Sequence, residues 1–282
     1  MGKKRILVLG ATGMAGHMVY YYLKEPGRYE MYSLVFRTRL TDDSLVCDVR
    51  DQNALRKVFG QVKPDIAINC IGALVKESKT NPDNAIYLNA YLPHFLKRLC
   101  DETRGRLIHI STDCVFSGEK GNYAEDDFRD ADDTYGRSKA LGEIINEKDC
   151  TLRTSIIGPE LKVNGSGLFH WFMQQKGQVS GYTNAIWSGV TTLELAKAIE
   201  KVIENDLAGL FHVTNGIPVS KFNLLNLFRE IWNRGDIEVN PYKKHYANKS
   251  LKKSSGFDFQ VPSYYNMCKD LKSWANKHKG TF

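Results

Sequence analysis

Short apolar runs alternate with stretches of helical period through the first part of this chain. Residues 5–10, 31–36, 44–47, 65–70, 106–110 and 151–157 read as strands. The run at 65–70 carries no charge after its first residue, as a strand buried on both faces requires. Helical periodicity follows Gly16 as far as Leu23, starts again near Gln52, and recurs at 84–100 and 135–146. This alternation predicts an α/β fold, a Rossmann doubly wound parallel sheet with helices on both faces. Beyond Pro159 the pattern loosens. Residues 165–175 look helical and aromatic, 177–183 turn-rich, 192–204 helical with Thr191 or Thr192 as cap, 210–214 a strand and 220–232 a helix. The tail from Asp236 is basic and less periodic and closes on a helix at 263–278. The division expected is a dinucleotide-binding Rossmann domain at 1–157, rejoined by 186–214. A smaller C-terminal substrate-binding lobe, from 158–185 and 215–282, would close over the carboxyl edge of the sheet. Internal repeats and low-complexity segments are absent from the sequence.

Composition adds limits. The chain has 282 residues, 42% hydrophobic and 25% charged, ordinary values for a globular protein. Its 39 Lys and Arg exceed 32 Asp and Glu, a formal charge of +7 that suits an anionic ligand such as a nucleotide. The basic residues are scattered except at Lys243 and Lys244 and at Lys252 and Lys253, which does not predict nucleic-acid binding. None of the six cysteines forms a Cys-x-x-Cys pair, which predicts a reduced, cytoplasmic protein. The histidines lack ligand spacing, so no metal is expected. The apolar run at 6–10 is too short for the core of a signal peptide, and no run reaches membrane-spanning length.

The chemistry concentrates in two places. Gly10-Ala-Thr-Gly13-Met-Ala-Gly16 joins a strand to a helix. Gly10 would permit the tight turn, Gly13 the approach of a phosphate, and Gly16 the packing of helix on strand. The helix N-terminus would then face a pyrophosphate. At the end of the second strand stand Arg37 and Arg39 with no acid between Leu34 and Leu40, which suits the 2′-phosphate of NADP(H), with NAD(H) as the alternative. Asp48 could accept from an adenine amino group or cap the helix that follows. The strand at 106–110 delivers Ser111-Thr112-Asp113-Cys114 to the carboxyl edge of the sheet, where ligands of such folds bind. An acidic loop at 118–133 follows, either a binding loop or a plain connection. Tyr135 and Lys139 are four apart and share one helix face. A phenol with a pKa of about 10 needs lowering to exchange protons at neutral pH, and a lysine one turn away would help. Tyr135 could then act as general acid to a carbonyl oxygen held by Thr112.

Taken together, the Gly10 to Gly16 turn, Asn69 with Gly72, Asn89, the Ser-Thr-Asp-Cys-Val-Phe run and the Tyr135/Lys139 pair resemble an extended short-chain dehydrogenase/reductase. With Leu152-Arg-Thr-Ser155, the chain is most similar to the dTDP-4-dehydrorhamnose reductase branch, over essentially its full length. That resemblance implies reduction of the 4-keto group of a nucleotide-linked 6-deoxyhexose, feeding surface polysaccharide, with Thr112, Tyr135 and Lys139 catalytic. It implies cofactor contacts from Gly10, Thr12, Gly13, Met14, Ala15, Arg37, Asp48, Val49, Cys70, Ile71 and Gly72, along with Tyr135 and Lys139. Candidate substrate contacts are Val75, Thr112, Asp113, Cys114, Tyr135 and Trp187.

Two positions depart from the branch. Cys114 stands where it commonly has tyrosine, and Val75-Lys76-Glu77 where it commonly has Val-Asp-Lys. In the related GDP-fucose synthase family, a cysteine at the position of Cys114 is an acid/base for epimerisation. A histidine partner there corresponds to the segment from Asn164 to His170 here. A bifunctional epimerase/reductase is therefore one alternative. A non-catalytic NADP-binding regulatory subunit, like that of methionine adenosyltransferase, is a second. A sugar-nucleotide 4-epimerase would need an acid at the second strand, where Arg37 stands. Trp171, Trp187 and Tyr182 are candidates to line the sugar or base pocket, or to be core. Lys243, Lys244, Lys249 and Lys252 could meet a substrate pyrophosphate, or form a solvated face. The family frequency of dimers suggests a homodimer.

Overall fold

The computed structural model describes residues 2–162 and 165–278. Met1, residues 279–282 and Asn164, which opens the segment leading to His170, lie outside the described residues. The architecture is built on seven parallel strands. They are β1 (Arg5–Leu9), β2 (Glu30–Val35), β3 (Leu45–Val46), β4 (Ile66–Asn69), β5 (Arg106–Thr112), β6 (Cys150–Thr154) and the strand Gly209–His212. Across the sheet the order runs Gly209–His212, β6, β5, β4, β1, β2, β3, with every neighbouring pair parallel. This is the expected Rossmann arrangement.

The period of two in the strands divides the interior. Ile6 and Val8 of β1 enter one core together with Ile66, Ile68 and Ile108. Leu7 and Leu9 enter the other with Ala67 and Leu107. The first core is covered by α1 (Met14–Lys24) and the helix Thr192–Glu204, and the second by α2 (Gln52–Val62) and the helix Leu92–Glu102. Thr191 caps the helix Thr192–Glu204, accepting from Glu194 N–H. A third apolar cluster gathers Ile157, Phe169, Phe172, Val179, Trp187, Leu224, Phe228 and Ile237.

Four elements differ from the sequence reading. The single helix expected at 84–100 is three pieces: Pro82–Ala85, a π-helical turn Ile86–Tyr91, and Leu92–Glu102. Pro93 has no N–H to give the carbonyl of Asn89 and its ring crowds that carbonyl, so the turn before it widens. The helix expected to reach residue 146 ends at Leu141, with Gly142 as its cap. The strand expected at 151–157 breaks after Thr154, and Ile156–Ile157 pairs instead with Val190–Thr191. The segment at 177–183 is not a run of turns. Gly177–Tyr182 is a strand, parallel to Ile237–Tyr242 in the tail that lacked clear period. Val179 and Val239 bury their side chains in the third cluster, while glycines at 177 and 181 disguise the alternation.

A buried ionic brace ties these parts together. Arg153 on β6 is 1% exposed, and its Nε and Nη2 each meet a Glu143 oxygen at 2.8 Å. Arg153 also donates to His212 Nε2 at 2.9 Å and to the Glu125 carbonyl at 3.3 Å. Ser111 and Arg129 donate to the same Glu143 carboxylate, at 2.7 and 3.0 Å. Burial works against ionisation of Glu143, but the bonds and charge of Arg153, with Ser111 and Arg129, hold its pKa below the ordinary value. Its contribution to stability is therefore complete above the unfolded glutamate pKa of about 4.3 and is lost as pH falls through the lower folded value. Replacing Glu143 by Gln should leave Arg153 buried without its counter-charge and cost about 3–5 kcal/mol at neutral pH. Urea unfolding at pH 7 checks this, and repetition under increasingly acid conditions should show the gap to wild type closing.

Candidate active site

The glycine turn is shaped by close contacts. Gly10 lies at φ +74°, and a β-carbon there would sit 2.9 Å from Ile71 Cγ1. Gly16 is tighter: a β-carbon would stand 2.1 Å from the Gly10 carbonyl oxygen, so only glycine lets α1 settle on the turn. Gly13 precedes α1 in extended conformation and puts no side chain over the first turn, whose N–H groups stay available to an anion. Beside this turn is a cavity of about 430 Å³. Of the residues expected at a cofactor, Gly10, Thr12, Gly13, Arg37, Asp48, Val49, Cys70, Ile71 and Gly72 line it. Ala15 instead is buried in the first core, and the Met14 side chain reaches Gly167. Phe36, Arg50 and Lys162 also line the cavity and were not singled out in the sequence. No periodicity marks them.

The two arginines after β2 have different surroundings. Arg39 is bound into its own loop by the carbonyls of Asp42 and Ser44. The Arg37 guanidinium lies over the Phe36 ring, 4.5 Å from its centroid, and makes no salt bridge among the described residues. Asp48 does not cap α2; Asp51 does, accepting from Ala54 N–H at 2.9 Å. Asp48 is paired with Arg50, Nη2 to Oδ2 at 2.7 Å, and those bonds lower its pKa.

At the end of β5, Thr112 Oγ1 accepts from Cys114 N–H and donates to Asp113 Oδ1, each at 3.1 Å. Tyr135 is the second residue of the helix Thr134–Leu141, whose cap, Asp133, accepts from Gly136 N–H at 2.8 Å. Its hydroxyl faces Thr112. Lys139, one turn on, is 4% exposed and donates to the Ile110 carbonyl at 2.7 Å. Burial lowers Lys139 to about 8, against the fields of Glu143 and Cys70. The expected lowering of Tyr135 by Lys139 does not occur. Burial, then the neighbouring Cys114, raises the phenol above its ordinary value, while Lys139 directs its nitrogen to Ile110. Tyr135 thus keeps its proton across the neutral range, the form from which an acid donates. Asn89, in the π-helical turn, fixes this helix to the loop after β4. It accepts from Ala73 N–H at 2.8 Å and donates to the Ala73 carbonyl and to Ser138 Oγ.

The remaining candidates fall differently. Cys114 is half-buried, and burial, then Asp113, pushes its thiol up to about 12. A thiol so reluctant to ionise is a poor base at neutral pH. Asp113 is buried and its pKa is raised by that burial, with the fields of Lys249 and Lys221 opposing. The field of Lys249 is thus felt at the carboxyl end of β5, whereas Val75 is 56% exposed on the helix Val75–Thr80. Trp187 is a buried member of the third cluster with its ring against Tyr264. Trp171 and Tyr182 are each exposed by more than a third, and Tyr182 packs edgewise on Tyr242 and His245. The acidic loop is ordered by its own bonds. Tyr123 stacks on Phe116, its hydroxyl accepts from Gly118 and Lys120 N–H, and its backbone pairs with the segment around Leu251.

Known proteins share this architecture. A family model described as RmlD substrate binding domain matches residues 4–272. The spore coat polysaccharide biosynthesis protein SpsK of Bacillus subtilis is 30% identical over 218 residues, 75% of this chain and 73% of its own. A dTDP-4-dehydrorhamnose reductase of Aggregatibacter actinomycetemcomitans is 29% identical over 234 residues, 78% of this chain and 76% of its own. Among solved structures, the dTDP-4-dehydrorhamnose reductase of Bacillus anthracis in complex with NADP superposes with a TM-score of 0.82 at 22% identity. That superposition covers 97% of this chain and all of the other.

The environment of Cys114 has a direct consequence. At pH 7 the native protein should be alkylated at Cys114 by iodoacetamide at least about tenfold more slowly than the urea-unfolded chain. Peptide mass mapping of both reactions measures it.

Proposed function

The chain belongs to the RmlD substrate binding domain family, and from that membership and the geometry above we propose that it is an NAD(P)-dependent oxidoreductase acting on a nucleotide-linked sugar. In its finer form, the reading is NADPH-dependent reduction of the 4-keto group of a nucleotide-activated 6-deoxyhexose, in surface polysaccharide synthesis. The observation that carries it is the juxtaposition of Thr112, Tyr135 and Lys139 at the carboxyl end of β5 with the Gly10 turn, two strands away across β4 in the same sheet. The names of the similar reductases and of the spore coat protein support the choice of substrate class.

The cavity fits a dinucleotide on its own terms. Gly10 and Gly16 bring the first turn of α1 to backbone distance, and the available N–H groups suit a pyrophosphate. Arg37 would meet a 2′-phosphate, Asp48 and Val49 the adenosine, and Cys70, Ile71 and Gly72 the loop side of the ligand. When bound, the dinucleotide supplies the hydride. Thr112 and Tyr135 would hold the substrate carbonyl oxygen, and the Tyr135 hydroxyl would give it a proton as the alcohol forms. Lys139 would then restore the Tyr135 proton. Residues 1–157 with 186–214 would form the cofactor domain, and 158–185 with 215–282 the lobe that clamps the sugar, with Asp113, Cys114 and Lys249 at its edge. The high thiol pKa of Cys114 favours plain reduction over epimerisation.

Purified protein should oxidise NADPH in the presence of one or more nucleotide-linked 4-keto-6-deoxy sugars. Tyr135→Phe should lower kcat by about 10²–10⁴-fold while still binding NADPH. Dinucleotide binding without turnover on the whole panel would instead support a binding protein. Arg37→Ala should weaken NADPH about tenfold and leave NADH unchanged, a contrast that calorimetry reads directly. With reduction run in D₂O, no deuterium should enter the carbons beside the ketone.

A further inference from the structure

Beneath Lys139 lies a connected set of buried polar groups. Asn69 ends β4 and is fully buried. Its Oδ1 accepts from Ile71 N–H at 3.1 Å, which settles which way the amide faces. Its Nδ2 therefore points to His109 Nδ1, 3.1 Å away. An amide nitrogen only donates, so His109 Nδ1 must present its lone pair. Burial, then the charge of Lys139 and of His94, keeps the His109 pKa well below the ordinary value, so the ring is neutral. Its one proton then belongs on Nε2. That atom lies 3.4 Å from Lys139 Nζ. An ammonium has no lone pair to accept this proton, whereas the amine has one and still donates to the Ile110 carbonyl.

From this geometry we propose that Asn69 and His109 are positioning residues for Lys139. A one-way run of hydrogen bonds, from Ile71 N–H through Asn69 and His109 to Lys139, favours the uncharged amine over the ammonium. The groups facing Lys139 from its other sides act in the opposite sense. Cys70 and Glu143 both favour the ammonium, though the Glu143 carboxylate is already shared by Arg153 and Arg129. Together the opposing groups keep the lysine proton loosely held, so that Tyr135, one turn away, can regain a proton after giving its own to substrate. That consequence rests on the reductase reading; the hydrogen-bond run does not.

The test is made on the protein without substrate. Long-range proton–nitrogen NMR correlations should show the proton of His109 on Nε2 in the wild type; a proton on Nδ1 would overturn the proposal. Titration of the Lys139 side chain, assigned by its absence in Lys139→Met, gives the second reading. In Asn69→Asp the carboxylate can still accept from Ile71 and would also accept from Nδ1–H. The His109 proton should move to Nδ1, and the Lys139 midpoint should rise by about one pH unit or more. Asn69→Leu removes the donor without adding charge and should move the midpoint in the same direction by a smaller amount. A rise in Asn69→Asp alone would assign the effect to added charge and sink the relay. If no sugar nucleotide is reduced but these spectra behave as stated, the substrate reading fails and the relay stands. If turnover is found, its alkaline limb should move upward in Asn69→Asp along with the Lys139 midpoint.

Discussion

A lysine buried at the end of a central strand constrains everything around it. Taking an ammonium out of water is costly unless the site offers acceptors, and even then the charge is held weakly. Lys139 donates to the Ile110 carbonyl and feels the Glu143 carboxylate four residues on, while the neutral ring of His109 turns its Nε2–H toward it and offers an ammonium no acceptor. These partners come from β5 and from the segment just past the helix of Lys139, so they restrict how that helix sits against the sheet. The Asp133 cap sets where that helix starts, and the Asn89 amide ties it to the loop after β4. The Tyr135 hydroxyl then faces Thr112, since β5 carries the threonine and the helix of Lys139 carries the tyrosine.

The Glu143 and Arg153 brace extends this constraint outward. Glu143 sits one turn beyond Lys139, and Arg153 lies on the neighbouring strand β6. Through His212 and the Glu125 carbonyl the brace reaches the acidic loop and the last strand of the sheet. His212 is itself neutral, lowered to about 4 by burial and by the Arg153 charge, and its other nitrogen faces the Lys252 carbonyl. Tyr123, stacked on Phe116, anchors the acidic loop to the segment around Leu251, beside Lys249, whose field reaches Asp113. The carboxyl end of β5 is therefore linked to the C-terminal part of the chain by buried polar contacts as well as by packing.

Features carried by local pattern were legible in the chain itself. Strands, most helices and the spacing of Tyr135 and Lys139 follow from period and from the residues next door. The π-helical turn was not legible as such, although Pro93 and the Asn89 carbonyl four residues before it were both in view. The strand at Gly177–Tyr182 was hidden because glycine reads as a turn, and its partner lies near residue 240. Arg37 and Arg39 looked alike until the carbonyls of Asp42 and Ser44 claimed one of them. His109 carried no motif, and Trp187 stayed open between pocket and core until its neighbours in the third cluster were known.

By itself, the sequence determined the alternation of strands and helices in the first part of the chain, the glycine turn before α1 and the hydroxyl, phenol and amine of Thr112, Tyr135 and Lys139. Each depends on neighbours within a few residues, where backbone geometry is set by the local chain. Only the tertiary structure decided the protonation of those groups. The direction of the Asn69 amide, the proton on His109, the weak hold on the Lys139 proton and the raised pKa of the Cys114 thiol depend on burial and partners. Asn69 and His109 are 40 residues apart in the chain. Burial and hydrogen-bond direction are properties of the packed interior, and no local pattern records them.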